Sequence, residues 1–367
     1  MLKLRAENVV IGGGVVGLAV ARALALRGRP VVLLDQDKRI GKGGSSRNSE
    51  VIHAGLYYPP GSLKAWLCVA GGAALYSYCG ERSIPHRRCG KLVVATVPNE
   101  EQALAVIAET SRANGVEKIE LLSKSELKNL EPQINASSGL LSPATGIVDC
   151  HALMLSYQAD IEAAGGAVVL QTPVEGGQLG SDGIAIRLGG SDPAALRADR
   201  VVNAAGLGAW EVSSKMVGLD QLSIPARYLA KGSYFQLSGK APFRHLIYPV
   251  PEIGGLGVHL TFDLSGQARF GPDVEWTDRI DYAVDSSRAG SFYAAIRRYW
   301  PALPENSLAP AYAGIRPKIA PPGAFSDFAI QGPGKTGHPG YAALYGIESP
   351  GLTASLAIGE LVADFWS

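Results

Sequence analysis

Cysteine is scarce in this chain. Four residues in 367, Cys68, Cys79, Cys89 and Cys150, lie far apart with no C-x-x-C pair and no histidine at ligand spacing. That argues against a zinc site and reads as free, mostly buried thiols in a reducing compartment. An excess of one charge is also missing. With 34 Lys and Arg against 33 Asp and Glu, the formal net charge is +1, and no basic patch forms. Neither nucleic acid nor an acidic membrane is therefore an expected partner. The apolar runs are too short to span a bilayer, so no integral membrane segment is expected. The mixed-charge opening, Met1 to Asn8, runs straight into a strand and leaves no room for a signal peptide. The expected location is the cytoplasm, with peripheral contact at the inner membrane left open. No repeat of solenoid or propeller period occurs.

What is present points to an α/β protein of two packed domains, because 367 residues are many for one core. Val9 to Leu24, VVIGGGVVGLAVARAL, reads as buried strand, glycine turn and helix, and VVLLD closes a β-α-β unit at Asp35. The glycine-rich stretch from Gly41 to Ser62 is too long for a simple connector and has the character of a ligand-binding loop. Helical spacing follows over Leu63 to Cys79, Asn99 to Asn114 and Leu153 to Ala164. GGAVVLQTPV supplies a strand ending near Val174, a Gly-Ser-Asp-Gly turn joins two more strands at Gly180 to Gly183, and RVVNAAG returns to the core at Arg200 to Gly206. Short alternating strands from Tyr228 to Val274 predict a separate antiparallel sheet. The last helix is expected to start near Leu352.

Gly12, Gly14 and Gly17 form G-x-G-x-x-G between strand and helix. The first glycine makes the turn, the second admits a pyrophosphate and the third lets helix and strand close up. Val15 and Val16 open the helix whose N–H groups face the phosphates. Asp35, with Gln36 beside it, is placed to accept hydrogen bonds from an adenosine ribose. The fingerprint alone does not choose between FAD and NAD. The remainder of the chain does: GGQLGSDG at Gly176 to Gly183 is a hairpin and not a second fingerprint, and core-like strands recur far from the start.

The segments SSRNSEVIHAGLYYPPGSLKAWLC, CGKLVVA, TGIVDCHAL, VVNAAGLGA, IYPVPEIGGLGVHLT, GIRPK and SPGLTASLAIGEL resemble the D-amino-acid oxidase superfamily of FAD oxidoreductases over nearly the whole chain. IHAGLYYPPGSLKA and YPVP followed by LGVH resemble the L-2-hydroxyglutarate dehydrogenase/oxidase group within it. The chain departs from that group at Lys231, Gly232, Ser233 and Tyr234, where Arg-Gly-acid-Tyr is common. The resemblance implies a discontinuous Rossmann-type FAD-binding domain (1–85, 147–220, 311–367) and an inserted α+β substrate domain (86–146, 221–310). It further implies that Ser45, Ser46, Arg47, Asn48 and Ser49 wrap the pyrophosphate and ribityl chain. Val174 would meet the adenine, Ala205 and Gly206 would pass close to the cofactor with Gly314, and Gly351, Leu352 and Thr353 would lie at the flavin's pyrimidine ring.

For chemistry, Arg316 of GIRP is expected to anchor a small carboxylate substrate, a structural salt bridge being the alternative. His53 is expected to be the base. A loop-holding role and covalent attachment to the flavin remain open for it, with non-covalent FAD favoured. His259 is a second base candidate, and Tyr57, Tyr234 and Tyr248 are candidates to hydrogen-bond the substrate's far end. No cysteine follows Cys150, which excludes a thioether link to the flavin near the C-terminus. The expected activity is oxidation of a small 2-hydroxy acid, L-2-hydroxyglutarate-like, to the 2-oxo acid by hydride transfer to flavin N5. The alternatives are an amine or amino-acid oxidase of the glycine/sarcosine type and a flavin-bearing binding protein without turnover. Oxygen, a quinone or another protein would accept the electrons.

Overall fold

The computed structural model describes residues 3–251 and 257–367. Residues 252–256, which belong to the IYPVPEIGGLGVHLT segment, and the first two residues lie outside that description.

In chain order, the elements that place the site are β1 (Lys3–Ile11), α1 (Val15–Leu26), β2 (Val31–Leu34), α2 (Leu63–Glu81), β3 (Lys91–Ala95), β4 (Ala194–Asn203), β5 (Tyr228–Leu237), β6 (Leu308–Lys318), β7 (Tyr341–Tyr345) and α3 (Ser355–Ala363). β1 is the centre of the first sheet. It pairs in parallel with β4 on one side and β2 on the other, β2 continues to Ala167–Val169, and β4 continues in parallel to β7. Parallel strands need crossovers, and α1 supplies the first. The expected hairpin, Val174–Gly180 with Gly183–Leu188, extends the sheet antiparallel from the first half of β4.

The second sheet contains β5, β3, Leu246–Pro249, Leu260–Phe262 and Ala268–Phe270, with β6 running antiparallel along the whole of β5. It is not purely antiparallel as expected, because Leu246–Pro249 lies parallel to β3. Those two strands come from distant parts of the chain, so no hairpin dictates their relative direction. A small sheet of Val51–Ile52, Gly146–Val148 and His86–Arg87 ties together the points where the chain crosses between the two large sheets.

Four expectations need correction. The strand expected to end near Val174 ends at Val169, and Val174 opens the next one. Gln171 between them sits at φ 55, and Pro173 has no N–H to give a ladder. The helix expected from Leu153 starts at Cys150, because the Asp149 side chain accepts from Ala152 N–H at 2.8 Å and caps it. The last helix becomes regular only at Ser355, so Gly351, Leu352 and Thr353 form the turn before it. The boundary expected at 311 cuts through β6, whose full length is bonded to β5. We therefore propose that the chain returns to the nucleotide-binding unit after Lys318.

α3 lies against α1 at the C-terminal close of the core. A Cβ at Gly359 would sit 2.6 Å from the Ala19 carbonyl oxygen of α1. Gly359→Ala would gain about 1 kcal/mol of helix propensity, but overpacking against backbone costs about 1–3 kcal/mol. The expected outcome is a net loss of stability, seen as a lower Tm of the holoprotein. A raised Tm would show that the two helices have room to part.

Candidate active site

A cavity of about 1390 Å³ runs from the α1 N-terminus to the face of the second sheet. That is more than a single small ligand occupies, and it suits a dinucleotide with a substrate beside it. At one end are Gly12, Gly14, Val15, Val16 and Gly17 of the turn, Asp35 and Gln36 after β2, and Val174, Ala205 and Gly206. Each glycine has a reason. Gly12 sits at φ 112, and a Cβ on Gly17 would collide with the Gly12 carbonyl oxygen, so both are demanded by the protein's own packing. A Cβ on Gly14 would meet only Ser45 Oγ, at 3.1 Å, so that glycine keeps space open on the cavity side. α1 has no side-chain cap, and Ser45 Oγ accepts from Val15 N–H at 2.9 Å. Asp35 accepts from Gly13 N–H at 2.5 Å and Asp37 N–H at 2.7 Å. Burial pushes its carboxyl up, and these two bonds partly offset that.

Ser45, Arg47, Asn48 and Ser49 continue along the wall. Ser46 does not: it is exposed and its hydroxyl donates to the Lys42 and Gly43 carbonyls. Gly314 has a Cβ position that would collide with the Arg47 carbonyl, so its role is to let β6 approach this loop. Gly351 and Leu352 line the cavity. Thr353 is fully buried behind them; its Oγ1 accepts from His53 N–H at 3.0 Å and donates to the Val51 carbonyl at 3.3 Å. Its side chain therefore fixes the His53 backbone.

The other end holds His53, Tyr57, Tyr234, Tyr248, His259 and Arg316. His53 Nε2 is 3.2 Å from Ser349 Oγ. Burial, together with the positive charges of Lys91 and His259, holds its imidazole well below the ordinary histidine value, so it is neutral near pH 7. Tyr248 and His259 stack with centroids 3.5 Å apart and planes at 11°. Val258 and Leu260, on either side of His259, are in the core, and His259, which precedes the strand at Leu260–Phe262, lines the cavity. The Tyr234 hydroxyl is 2.8 Å from Ser49 Oγ, and its ring stacks on Tyr312 at 4.5 Å. Among the described residues no carboxylate forms an ion pair with Arg316, so the salt-bridge alternative finds no partner. A Cβ at Gly232 would stand 3.1 Å from its Nη2, so glycine there leaves the guanidinium its space.

These residues fit FAD. The wall has an uncapped helix N-terminus, an open glycine face beside it, and two buried donors without a partner, Tyr57 OH and Arg47 Nε. Gly12 to Gly17, Asp35 and the Ser45 to Ser49 loop would hold the nucleotide, and the Gly351–Leu352 turn would close on the ring.

Sequence reasoning missed Ser349 and three buried charges. Glu348 accepts from Lys64 Nζ at 2.8 Å and Lys318 Nζ at 2.7 Å, and all three line the cavity. Burial pushes the Glu348 carboxyl up, but the two ammonium groups outweigh it and hold it below the usual range. No spacing rule joins residues 64, 318 and 348. Lys91 was also missed, although a lysine heading a strand as apolar as KLVVA was a visible signal.

A family model described as FAD dependent oxidoreductase matches residues 8–365. The mitochondrial L-2-hydroxyglutarate dehydrogenase of Arabidopsis thaliana is 43% identical, covering 99% of this chain and 83% of the plant protein. L-2-hydroxyglutarate dehydrogenase of Escherichia coli K12 is 30% identical over 98% of this chain and 92% of its own. Among solved structures, FAD-bound L-alpha-glycerophosphate oxidase from Mycoplasma pneumoniae superposes with a TM-score of 0.88 at 24% identity, covering 99% of this chain and 94% of that one. Glycine oxidase from Geobacillus kaustophilus gives 0.84 at 20%, covering 99% and 95%. At these identities the structures establish the fold.

Because a Cβ at residue 14 would meet only the Ser45 side chain, at 3.1 Å, and no backbone, Gly14→Ala separates cofactor binding from folding. The apoprotein should unfold within about 1 kcal/mol of the parent, the size of an N-cap change. FAD affinity, read by the ratio of flavin to protein absorbance during dialysis, should fall at least about 10-fold, or about 1.4 kcal/mol.

Proposed function

We propose that this chain, which belongs to the FAD dependent oxidoreductase family, oxidises L-2-hydroxyglutarate or a close 2-hydroxy dicarboxylate to the 2-oxo acid. One observation carries the reading: an arginine without a carboxylate partner and a neutral histidine line the same cavity as the nucleotide cradle. The 43% identity to a dehydrogenase of that acid, over 99% of this chain, supports the substrate. FAD, when bound, supplies the acceptor for the two electrons leaving the substrate carbon.

The chain's residues do the rest. Arg316 grips the carboxylate next to the hydroxyl through two parallel N–H bonds and so fixes which face of the carbon is presented. His53 accepts the hydroxyl proton at Nε2, and the Thr353 bond to its backbone together with Ser349 keeps the ring in place. Tyr57 OH, buried and without a protein partner, and Tyr248 hydrogen-bond the far end. Lys64 and Lys318 line this wall around Glu348, and their ammonium groups favour an anionic substrate.

Attachment of the flavin is non-covalent in this reading, and His53 is free to act as base. Four free cysteines among the described residues support a reducing compartment, and we place the enzyme in the cytoplasm. No helix of the described residues is long and apolar enough to cross a membrane. The acceptor of the electrons is oxygen, a quinone or another protein.

Anaerobic mixing with L-2-hydroxyglutarate should bleach the flavin absorbance, while glycine and sarcosine should leave it unchanged. Failure with every 2-hydroxy acid would overturn the proposal. Arg316→Met should lower kcat/KM by about 30- to 1000-fold, the cost of about 2–5 kcal/mol for removing one side of a buried charge pair, with flavin content intact. His53→Asn should reduce kcat by about 10²- to 10⁴-fold. Since the His53 value is depressed, its base form persists to lower pH, and the acid limb of kcat/KM should fall well below pH 6.5.

A further inference from the structure

Lys91 heads β3, a strand buried at every position, and is itself 1% exposed. Among the described residues no carboxylate pairs with it. Its Nζ lies 4.1 Å from the ring centroid of Tyr248 and 5.6 Å from that of Tyr57. The opposite partner of Tyr248 is His259, stacked at 3.5 Å, so ammonium, phenol and imidazole form a file leading to the cavity. Leaving a charge unpaired in a core costs several kcal/mol, and an alkyl side chain would fill the same space without that cost. Packing therefore does not explain a lysine here.

We propose that Lys91 is a positioning residue for the oxidation: a buried ammonium that acts through space, from behind the aromatic wall, to keep His53 free to accept a proton. This rests on the reading of His53 as the base. No negative charge from the elements packed against His53 cancels this field. From α2, Cys68 donates to its carbonyl and is pushed up to about 12, so it stays neutral. Ser349 and Tyr58 are uncharged, Tyr58 being pushed far above its ordinary value by burial. Glu348 is neutralised by Lys64 and Lys318. His259 adds to the repulsion from the substrate sheet.

The order of protonation makes the device effective. Burial brings Lys91 down to about 7. As pH falls through that value Lys91 takes up its proton first, and the new charge opposes a second proton on His53 in the range where an ordinary histidine would titrate.

The test is an NMR titration of the holoenzyme with labelled histidine, comparing the parent with Lys91→Met and Lys91→Arg. Removing the charge should raise the His53 midpoint by about one pH unit, and Lys91→Arg should keep the parental value. The acid limb of kcat/KM should shift up by the same amount in Lys91→Met alone. An unchanged His53 midpoint in Lys91→Met overturns the proposal, as does a midpoint raised equally in both variants, which marks disturbed packing. Because the titration needs no substrate, inactivity of the parent toward L-2-hydroxyglutarate would sink the proposed function and leave the Lys91 result standing. Lys91→Met should also fold at least as stably as the parent, so a lowered Tm there counts for a structural role and against this one.

Discussion

The reacting end of the cavity depends on backbone approaching backbone at two adjacent glycines of α2. A Cβ on Gly71 would run into the Thr353 carbonyl and stand 2.7 Å from the Ala354 Cα, and one on Gly72 would be 3.3 Å from the His53 carbonyl. Two glycines inside a helix cost about 1 kcal/mol each in propensity. What they permit is the contact of three stretches from opposite ends of the chain: the His53 loop, α2 and the turn before α3. The Thr353 hydroxyl then closes the gap by bonding both Val51 and His53. The His53 backbone is thereby held in place by the Thr353 side chain.

With that frame in place, the electrostatics follow one direction. The α1 N-terminus, Arg316, the Lys64–Lys318 pair around Glu348, and Lys91 all raise the potential inside the cavity. Carboxylates near it are compensated: Glu50 pairs with Arg269, and Asp35 is tied to two backbone N–H groups. A near-neutral protein thus carries a locally positive interior, which no count of total charge could indicate. The interior suits a phosphate-bearing cofactor at one end and an anionic substrate at the other, while the same field disfavours a proton on His53.

Features set by local sequence were legible, and features set by long-range packing were not. The glycine turn, Asp35 and the hairpin at Gly180 to Gly183 each follow from a few adjacent residues. The resemblance to a known family placed His53, Arg316 and the three tyrosines, all of which face the cavity. A motif names a stretch, and the residues of a stretch do not all face one way: the side chains of Ser46 and Thr353 turn away from the cavity. The Glu348 cluster joins residues nearly 300 positions apart. The parallel pairing of Leu246–Pro249 with β3 likewise has no local signature, and the true start of the last helix depends on how residues 349–354 turn against α2.

The departure at Lys231 to Tyr234 shows how such a difference resolves in three dimensions. Where the hydroxyglutarate group commonly has an acid, Ser233 is buried and its N–H donates to Asp273 Oδ1 at 2.7 Å. Gly232 and Tyr234 line the cavity, and Ser233 points to the other side of the strand. Asp273 in turn pairs with Arg288 at 2.6 Å, and Lys231 reaches Asp281 at 3.0 Å. The negative charge is therefore present but comes from a neighbouring segment, with its own counter-ion. The residues of this stretch that touch the cavity are Gly232, making room for Arg316, and Tyr234, bonded to Ser49. Ser233 thus belongs to the contact with Asp273, behind the wall that Gly232 and Tyr234 form.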